Sequence, residues 1–257
     1  MCFPPEAVPP PIPESLLVTR EEPDAQSVDL TADDGATFSA AYALAPLPAR
    51  TAVLILPDVR GLFDYYRNLA RSFAAAGYSA IVVDYFGRTA GTGMRGAGFE
   101  YMPHIKQTTP ELVQADLRAA RDHVASVSGA TSFVTVGFCF GGTQSYLATT
   151  DAALGLDGAV AFYGGLDETR LGVFPHPASQ ASRMSGPLLA LYGGADASIP
   201  EELRDEFAAA LTHAGVEHKF VVYPDAPHSF FDRAHASFTN ECEDAWRRTL
   251  QFLASVG

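Results

Sequence analysis

The segment VTVGFCFGG at residues 134–142 decides how this 257-residue chain folds. Its β-branched start favours a buried strand, and the residues after it favour a tight turn into a helix. Gly137 and Gly141 flank Cys139 in a Gly-x-Cys-x-Gly pattern, as required where such a turn leaves no room for side chains. The pattern places Cys139 on the turn. By itself it leaves open whether the thiol is a nucleophile or a packed core side chain.

The rest of the chain alternates between strand-like and helix-like patterns. Short apolar runs predict buried strands at residues 52–57, 79–84, 132–136, 158–162, 187–192 and 219–223. Helical patterns fall at residues 65–76, 110–127, 140–149, 201–214 and 238–254. Strands that alternate with helices indicate an α/β fold with a mostly parallel sheet, joined by right-handed crossovers.

The beginning of the chain departs from this alternation. Residues 1–25 are rich in Pro and Glu, which predicts an irregular segment ahead of a single domain at 26–257. Two strand-like runs, 27–31 and 36–44, flank an Asp-Asp-Gly turn and predict an antiparallel hairpin. Residues 86–108 show no periodicity, and so long a loop in a compact domain is usually functional.

The composition of the chain limits the kinds of molecule that it is expected to bind. The chain has 17 Lys and Arg against 30 Asp and Glu, a formal net charge of −13, whereas a nucleic-acid partner requires a basic surface. The first residues do not resemble a signal peptide, and no apolar stretch approaches the ~20 residues of a membrane helix. The three cysteines have no zinc-site spacing. We expect a cytoplasmic monomer or small homo-oligomer that binds a small molecule and needs no metal or cofactor.

Candidate acid and base residues follow two later strands. Asp196 comes after the strand at 187–192, and His228 after the strand at 219–223. In such sheets ligands sit at the carboxyl ends of strands, where Cys139 also lies. Nucleophile, acid and base in this order is the order of α/β-hydrolase triads. Taken singly, Asp196 also fits a turn and His228 an ordinary loop histidine; the order of the three favours a Cys–His–Asp triad.

Each residue type suits its predicted role. The thiolate of Cys139 is the attacking form, and His228 takes its proton or pairs with it. Asp196 holds the imidazole in the required tautomer and stabilises its charge. Two backbone N–H groups are needed to bind the oxyanion of a tetrahedral intermediate. The predicted donors are Phe140, which opens the helix after the nucleophile, and Val59, in the loop after an early central strand.

The chain resembles the dienelactone hydrolase (carboxymethylenebutenolidase) family of α/β-hydrolases over roughly residues 27–255. The matching segments are LPDVRG at 56–61, AAGYSAIVVDYFGR at 75–88, VGFCFGG at 136–142, FYGG at 162–165, YGGADASIP at 192–200 and YPDAPHSFFDR at 223–233. The resemblance implies the α/β-hydrolase fold, a mostly parallel central sheet flanked by helices. It also implies the triad and the oxyanion-hole residues named above.

The resemblance further assigns residues around the nucleophile. Lead members of the family carry a glutamate where this chain has Asp58, and that glutamate helps to hold and activate the thiol. Asp58 is shorter, and either a thiol-modulating or a substrate-binding role is open to it. The family binds a substrate carboxylate through arginines and hydroxyls, for which the candidates here are Arg88, Arg95, Tyr163, Ser229 and Arg233. From the residues alone, Arg88 and Arg95 also fit solvated loop charges.

Three functions fit these observations. The first is a cysteine-dependent hydrolase of a small, carboxylated lactone or activated ester. The resemblance makes this the conversion of dienelactone to maleylacetate, a step in degrading chlorinated aromatics. The second is a same-fold esterase of a different substrate class, with residues 86–108 as the specificity loop. The third is a non-catalytic binding scaffold.

Overall fold

The predicted alternation is present in the structure, a computed structural model that describes residues 8–167 and 174–257. The strands are β1 (Ala25–Thr31), β2 (Thr37–Ala43), β3 (Thr51–Leu56), β4 (Ser79–Val83), β5 (Ser132–Phe138), β6 (Gly158–Phe162), β7 (Leu188–Gly193) and β8 (His218–Tyr223). The α-helices are α1 (Asp64–Ala75), α2 (Gly87–Ala90), α3 (Met102–Ile105), α4 (Pro110–Ser128), α5 (Phe140–Ala148), α6 (Pro177–Gln180), α7 (Glu201–Ala214) and α8 (Thr239–Val256).

Within the described residues, the strands form an eight-stranded sheet in the order β1-β2-β4-β3-β5-β6-β7-β8. Every neighbouring pair from β4 to β8 is parallel. β1 pairs with β2 in antiparallel register, and β2 pairs with β4 in the same way. The predicted mostly parallel sheet and its N-terminal hairpin are therefore confirmed.

The central strands β3 to β7 are buried along their whole length. Parallel strands have this continuous apolar character because helices cover both faces of their sheet. α1 and α8 meet through Phe73 and Trp246, whose ring centroids are 5.1 Å apart, and α4 packs against α5. The core lies between the sheet and these helices, and it holds the strand ends in place.

Local signals set the ends of α4, the helix predicted at residues 110–127. The Thr109 side chain accepts a hydrogen bond from the Leu112 N–H at 3.4 Å, and Pro110 occupies the first turn. Gly129 ends the helix at φ 75°, a conformation that favours glycine. Pro110 predicted the beginning of this helix, and the caps at Thr109 and Gly129 explain in addition why it begins and ends there.

Two segments that lack periodicity are nevertheless attached to the core. The stretch predicted as a loop at 86–108 contains the short helices α2 and α3. In the N-terminal segment, the backbone oxygen of Pro10 accepts a hydrogen bond from Trp246 Nε1 at 3.0 Å, and Val18 N donates to Ala75 O at 2.9 Å. The described part of the Pro-rich segment therefore packs along α1 and α8.

Candidate active site

Cys139 lies on the turn between β5 and α5, with φ 54° and ψ −113°. This conformation is costly for a residue with a side chain and is typical of functional sites. A Cβ atom on Gly137 would lie 1.9 Å from Gly141 O, and one on Gly141 would lie 2.1 Å from Leu56 O. Since real Cβ atoms do not approach backbone atoms so closely, glycine is required at both flanking positions. The thiol is partly exposed at the carboxyl edge of the sheet.

Asp196 and His228 meet at the same edge, although they are far apart in the sequence. Asp196 follows β7 and His228 follows β8, and His228 Nδ1 lies 2.6 Å from Asp196 Oδ2. The other carboxylate oxygen accepts hydrogen bonds from Ser198 N at 2.9 Å and Ser198 Oγ at 2.6 Å. The Asp196 side chain is 3% exposed and that of His228 is 29% exposed, so the acid is buried behind the imidazole.

The electrostatics of the two residues follow from these contacts. Burial by itself lowers the pKa of His228, but its hydrogen bonds to Asp196 and Cys139 outweigh burial and raise that pKa to about 10. Burial also raises the pKa of Asp196, yet the hydrogen bonds from His228 and Ser198 leave that pKa below its ordinary value. At neutral pH the site therefore holds a charged imidazolium between a carboxylate and the sulfur atom.

A cavity of about 740 Å³ lies above these three residues. Its described lining residues are Asp58, Val59, Tyr101, Met102, Cys139, Phe140, Thr143, Gly165, Asp167, Phe174, Pro175, Ala195, Asp196, Ala197, Ser198, Pro227, His228, Ser229 and Arg233. The lining combines apolar and aromatic side chains with the thiol of Cys139 and the imidazole of His228. A cavity of this volume suits a small organic molecule.

The two predicted oxyanion donors both line this cavity. Phe140 is the first residue of α5, where a backbone N–H has no partner inside the helix. Val59 lies in the loop after β3. Among the hydrogen bonds made by residues 8–167 and 174–257, none has the N–H of Val59 or Phe140 as its donor. The arrangement can therefore bind a negative charge that develops on a carbonyl oxygen near Cys139.

Asp58, the predicted thiol-modulating residue, lines the cavity but is held by Arg60. Asp58 Oδ2 lies 2.8 Å from Arg60 Nη2, and Asp58 Oδ1 accepts a hydrogen bond from Arg60 N at 2.9 Å. Among the described residues, no hydrogen bond joins the Asp58 carboxylate to Cys139. In this structure the carboxylate therefore orders its own loop.

The predicted substrate-binding residues after β6 and β8 separate into two groups. Ser229 and Arg233 line the cavity. Tyr163 is fully buried and donates a hydrogen bond to Asp232 Oδ2 at 2.9 Å. Its ring centroid is 5.0 Å from that of His228. Tyr163 therefore packs against the His228 imidazole, while Ser229 and Arg233 form part of the cavity lining.

Arg88 and Arg95, the remaining two candidates, are not among the described residues that line the cavity. Arg88 Nη2 lies 2.8 Å from the fully buried carboxylate of Asp116, and Arg95 Nε lies 3.0 Å from that of Asp84. The two side chains are 11% and 7% exposed, so they are not solvated loop charges either. Buried carboxylates demand a cation nearby, and each arginine is used for that purpose rather than for the cavity.

Some site residues escaped the sequence reasoning. Tyr101, Met102 and Phe174 line the cavity, and Tyr85 and Tyr66 contact the loop that carries Val59. Tyr85 comes two residues after the end of β4, at the carboxyl edge where ligands bind. The position of Tyr85 in the sequence could therefore have identified it as a residue near the site. The contribution of Tyr101, Met102 and Phe174 to the lining could not be predicted, because these residues come from segments that are distant in the sequence.

Neither a metal centre nor a membrane span is found in the described part of the chain. No group of three or more His, Cys, Asp or Glu side chains there is arranged to hold a metal ion. Among its helices, none combines the length and the apolar character needed to cross a bilayer.

Comparison with known proteins gives consistent matches. The profile described as Dienelactone hydrolase family matches residues 39–257. Proteins of Salmonella typhimurium and Escherichia coli, both named "Putative carboxymethylenebutenolidase", are 31% and 30% identical to this chain over 213 and 220 residues. These alignments cover 80% and 82% of this chain and 77% and 78% of the two relatives.

A solved structure matches as well. The crystal structure of a Klebsiella pneumoniae protein named "Putative Dienelactone Hydrolase" has a TM-score of 0.76 to this chain at 27% sequence identity. The match covers 90% of this chain and 99% of that one. The region shared with the family profile contains the turn at Cys139 and the loops that carry Asp196 and His228.

Proposed function

Because the chain belongs to the dienelactone hydrolase family and is a hydrolase of the ester or lactone type, we propose that it acts through Cys139 on a small lactone or activated ester. The observation that carries the proposal is the 2.6 Å contact of His228 Nδ1 with Asp196 Oδ2, beside a cysteine on a glycine-flanked turn. A cysteine kept only for packing would need neither the oriented imidazole nor the unusual backbone conformation.

In the first half-reaction, the Cys139 thiolate attacks the substrate carbonyl carbon and forms a C–S bond. The carbonyl π electrons move to oxygen, and that oxyanion accepts hydrogen bonds from the N–H groups of Val59 and Phe140. Collapse of the intermediate breaks the C–O bond to the leaving oxygen. His228, kept protonated by its raised pKa, gives that oxygen its proton, and a thioester remains on the enzyme.

In the second half-reaction, the now neutral His228 removes a proton from water. The resulting hydroxide equivalent attacks the thioester carbonyl, and the same two N–H groups bind the new oxyanion. Collapse breaks the C–S bond and releases the acid. The sulfur leaves as a thiolate beside the imidazolium, and the enzyme is ready for another turnover. With a lactone, the leaving oxygen stays attached to the acyl chain, and a single product results.

Leaving-group chemistry favours activated substrates. A thiol has a pKa of about 8.5, so from the tetrahedral intermediate a thiolate leaves more readily than an alkoxide. Ordinary alkyl esters therefore tend to revert, whereas an enolate or phenolate leaves productively. We propose dienelactone, whose ring oxygen leaves as an enolate and whose hydrolysis gives maleylacetate, as the substrate to test first. Arg233 at the cavity wall is our candidate for binding its carboxylate.

Replacing Cys139 with alanine tests the nucleophile. We expect the Cys139→Ala variant to lose on the order of 10⁴-fold or more in kcat for dienelactone and p-nitrophenyl acetate, since the covalent route is removed. Wild-type enzyme mixed rapidly with p-nitrophenyl acetate should release a burst of nitrophenol equal to the thioester formed. Unchanged turnover in the alanine variant would remove Cys139 from the mechanism.

Cys242 supplies a matched control. It is 2% exposed, and burial raises the pKa of its thiol to about 12, so it is not a thiolate at neutral pH. The Cys242→Ala variant should keep its activity and its burst. If wild-type enzyme is inactive on esters and lactones, and iodoacetamide labels Cys139 only at alkaline pH, the same fold serves as a binding scaffold. Turnover of bulky esters with no activity on dienelactone would instead indicate a different substrate class.

A further inference from the structure

Tyr85 is a buried side chain that the mechanism so far does not use. It follows β4, is 2% exposed, and shares its single hydroxyl proton between the backbone oxygens of Pro57 and Asp58, the latter at 2.8 Å. Burial, reinforced by nearby carboxylates, raises the pKa of Tyr85 well above its ordinary value. The hydroxyl therefore stays protonated at any working pH and remains a donor.

The carbonyl that Tyr85 binds belongs to the peptide unit that supplies an oxyanion donor. The C=O of Asp58 and the N–H of Val59 are the two ends of one planar trans peptide, and they point in opposite directions. Holding the oxygen toward Tyr85 thus turns the Val59 N–H away from Tyr85, and Val59 is a lining residue of the cavity. A rotation of this peptide would move both groups together.

The neighbouring N–H groups of this loop are already occupied. Asp58 N donates to Tyr66 Oη at 2.9 Å, and Arg60 N donates to Asp58 Oδ1 at 2.9 Å. Within the described ranges, the N–H of Val59 between them donates to no protein acceptor. The Val59 N–H thus lies between N–H groups that have internal partners, in a residue that lines the cavity, which is the pattern of a preorganised donor.

Tyr85 also packs against Phe140, the residue of the second predicted oxyanion donor. Its ring centroid lies 5.2 Å from that of Phe140, whose backbone N–H is the other predicted donor. In addition, a hydrogen bond accepted by an amide oxygen polarises the amide and strengthens its N–H as a donor. One side chain thus contacts Phe140 and the peptide unit that supplies the Val59 N–H, and it polarises that peptide.

We propose that Tyr85 is a positioning residue that aligns the Val59 N–H, and so sets the strength of the oxyanion hole. The inference rests on the proposed function, because it assigns Tyr85 a role in the cysteine-dependent reaction. Tyr85 is not among the described residues that line the cavity. It acts through the Asp58–Val59 peptide, and its contribution should therefore appear when negative charge develops on oxygen, not when substrate binds.

The Tyr85→Phe variant tests this inference, because it retains the ring and removes only the hydroxyl. We expect kcat for p-nitrophenyl acetate to fall about 10-fold or more, somewhat less than the 10²- to 10³-fold typical of deleting a whole oxyanion donor. KM and the rate of Cys139 alkylation by iodoacetamide should stay within about twofold of wild type. Alkylation forms no oxyanion, so it reports the thiol and the imidazole alone.

A second substrate separates oxyanion binding from general damage. In p-nitrophenyl thionoacetate, sulfur replaces the carbonyl oxygen, and the developing negative charge lies on a poor hydrogen-bond acceptor. Wild-type enzyme should prefer the oxygen ester, and Tyr85→Phe should reduce that preference several-fold. Both substrates are measured on the same sample, so the ratio of their rates does not depend on what fraction of the variant has folded.

Tyr146→Phe is the matched control. Tyr146 is also fully buried, and its hydroxyl pairs with that of Tyr192 at 2.7 Å, so this variant loses one buried hydrogen bond elsewhere in the core. An oxygen-to-sulfur preference that is unchanged in Tyr85→Phe, or reduced equally in Tyr146→Phe, would overturn the inference. Full activity in Cys139→Ala would instead overturn the proposed function, so the two failures are distinguishable.

Discussion

Arg60 binds the carboxylate of Asp58 through both its guanidinium group and its backbone N–H. Arg60 Nη2 lies 2.8 Å from Asp58 Oδ2, and Arg60 N donates to Asp58 Oδ1 at 2.9 Å. The two side chains are 11% and 7% exposed. Because the partners are two residues apart, the pair closes a turn within one loop. The carboxylate at the position of the family's glutamate thus orders the segment that carries Val59.

This pairing predicts that Asp58→Asn affects stability more than thiol reactivity. The amide retains an acceptor for Arg60 N but loses the charge, and we expect the free energy of unfolding to fall by about 2 kcal/mol. The rate of Cys139 alkylation at neutral pH should remain within twofold of wild type. Urea denaturation and iodoacetamide labelling measure the two quantities.

Asp64→Asn is the control for this variant. Asp64 forms a largely exposed ion pair with Arg67 on α1, 3.6 Å apart, and such pairs contribute little. A large change in Cys139 alkylation in Asp58→Asn, with stability unchanged, would show instead that the carboxylate acts on the thiol.

The raised pKa of His228 predicts an alkaline limit to activity. Hydrogen bonds to Asp196 and Cys139 raise that pKa to about 10 against the effect of burial, so the imidazolium persists through neutral pH and is lost near pH 10. The stability that the raised pKa contributes is complete below the unfolded pKa near 6.5 and disappears as pH rises through about 10. Activity and thermal stability should both decline over the upper part of this range.

Asp196→Asn checks the origin of that limit. Without the carboxylate the pKa of His228 should fall, and the alkaline limb of kcat/KM should move to lower pH. The maximal rate should drop by up to about 10⁴-fold, the loss that the matching change causes in a serine triad. A pH profile from 6 to 11 for both proteins measures the shift. An alkaline limb at the same pH in both would mean that Asp196 does not set the pKa.

The flanking glycines of the turn predict a steric effect on folding. In Gly141→Ala the new Cβ would lie 2.1 Å from Leu56 O and 2.3 Å from Pro57 O. Backbone atoms cannot move aside cheaply, and we expect a loss of about 3 kcal/mol in unfolding free energy together with loss of activity. Gly96→Ala, where nothing lies within 4 Å of the added carbon, should melt like wild type. Equal melting temperatures for the two variants would contradict the close approach.

Arg88 and Arg233 predict opposite phenotypes. Arg88→Met leaves the buried Asp116 carboxylate without its guanidinium partner, and we expect about 3–5 kcal/mol of destabilisation with KM unchanged. Arg233→Met, at the cavity wall, should raise KM for dienelactone while KM for the neutral p-nitrophenyl acetate stays the same. A raised KM for dienelactone in a stable Arg88→Met protein would show instead that Arg88 binds the substrate.

The fold and the chain order of the site could be predicted because their causes are local. Residues 134–142 contain the strand, the turn and the start of the helix in one segment, and glycines at fixed offsets specify the turn. Apolar runs and capping residues place the remaining strands and helices. Parallel strands bring their carboxyl ends to one edge, so residues after β5, β7 and β8 could be expected to meet.

The partners of buried charges could not be predicted in the same way. Arg88 and Arg95 have the same chemistry as Arg233, and their spacing does not show which carboxylates the fold buries beside them. Likewise, nothing in the sequence around Tyr85 and Phe86 indicates that the Tyr85 hydroxyl binds the Asp58 carbonyl. Such pairs depend on which side chains the fold brings together from segments that are distant in the sequence.

The sequence by itself therefore determined the sheet, the turn at Cys139 and the chain order of Cys139, Asp196 and His228, since periodicity and glycine positions act over a few residues. The tertiary structure alone decided that Asp58 is held by Arg60, that two arginines pair with buried carboxylates, and that the Tyr85 hydroxyl binds the Asp58 carbonyl. The physical reason is that charges and hydrogen-bond donors inside a protein must find partners, and packing of the whole chain determines which partners are within reach.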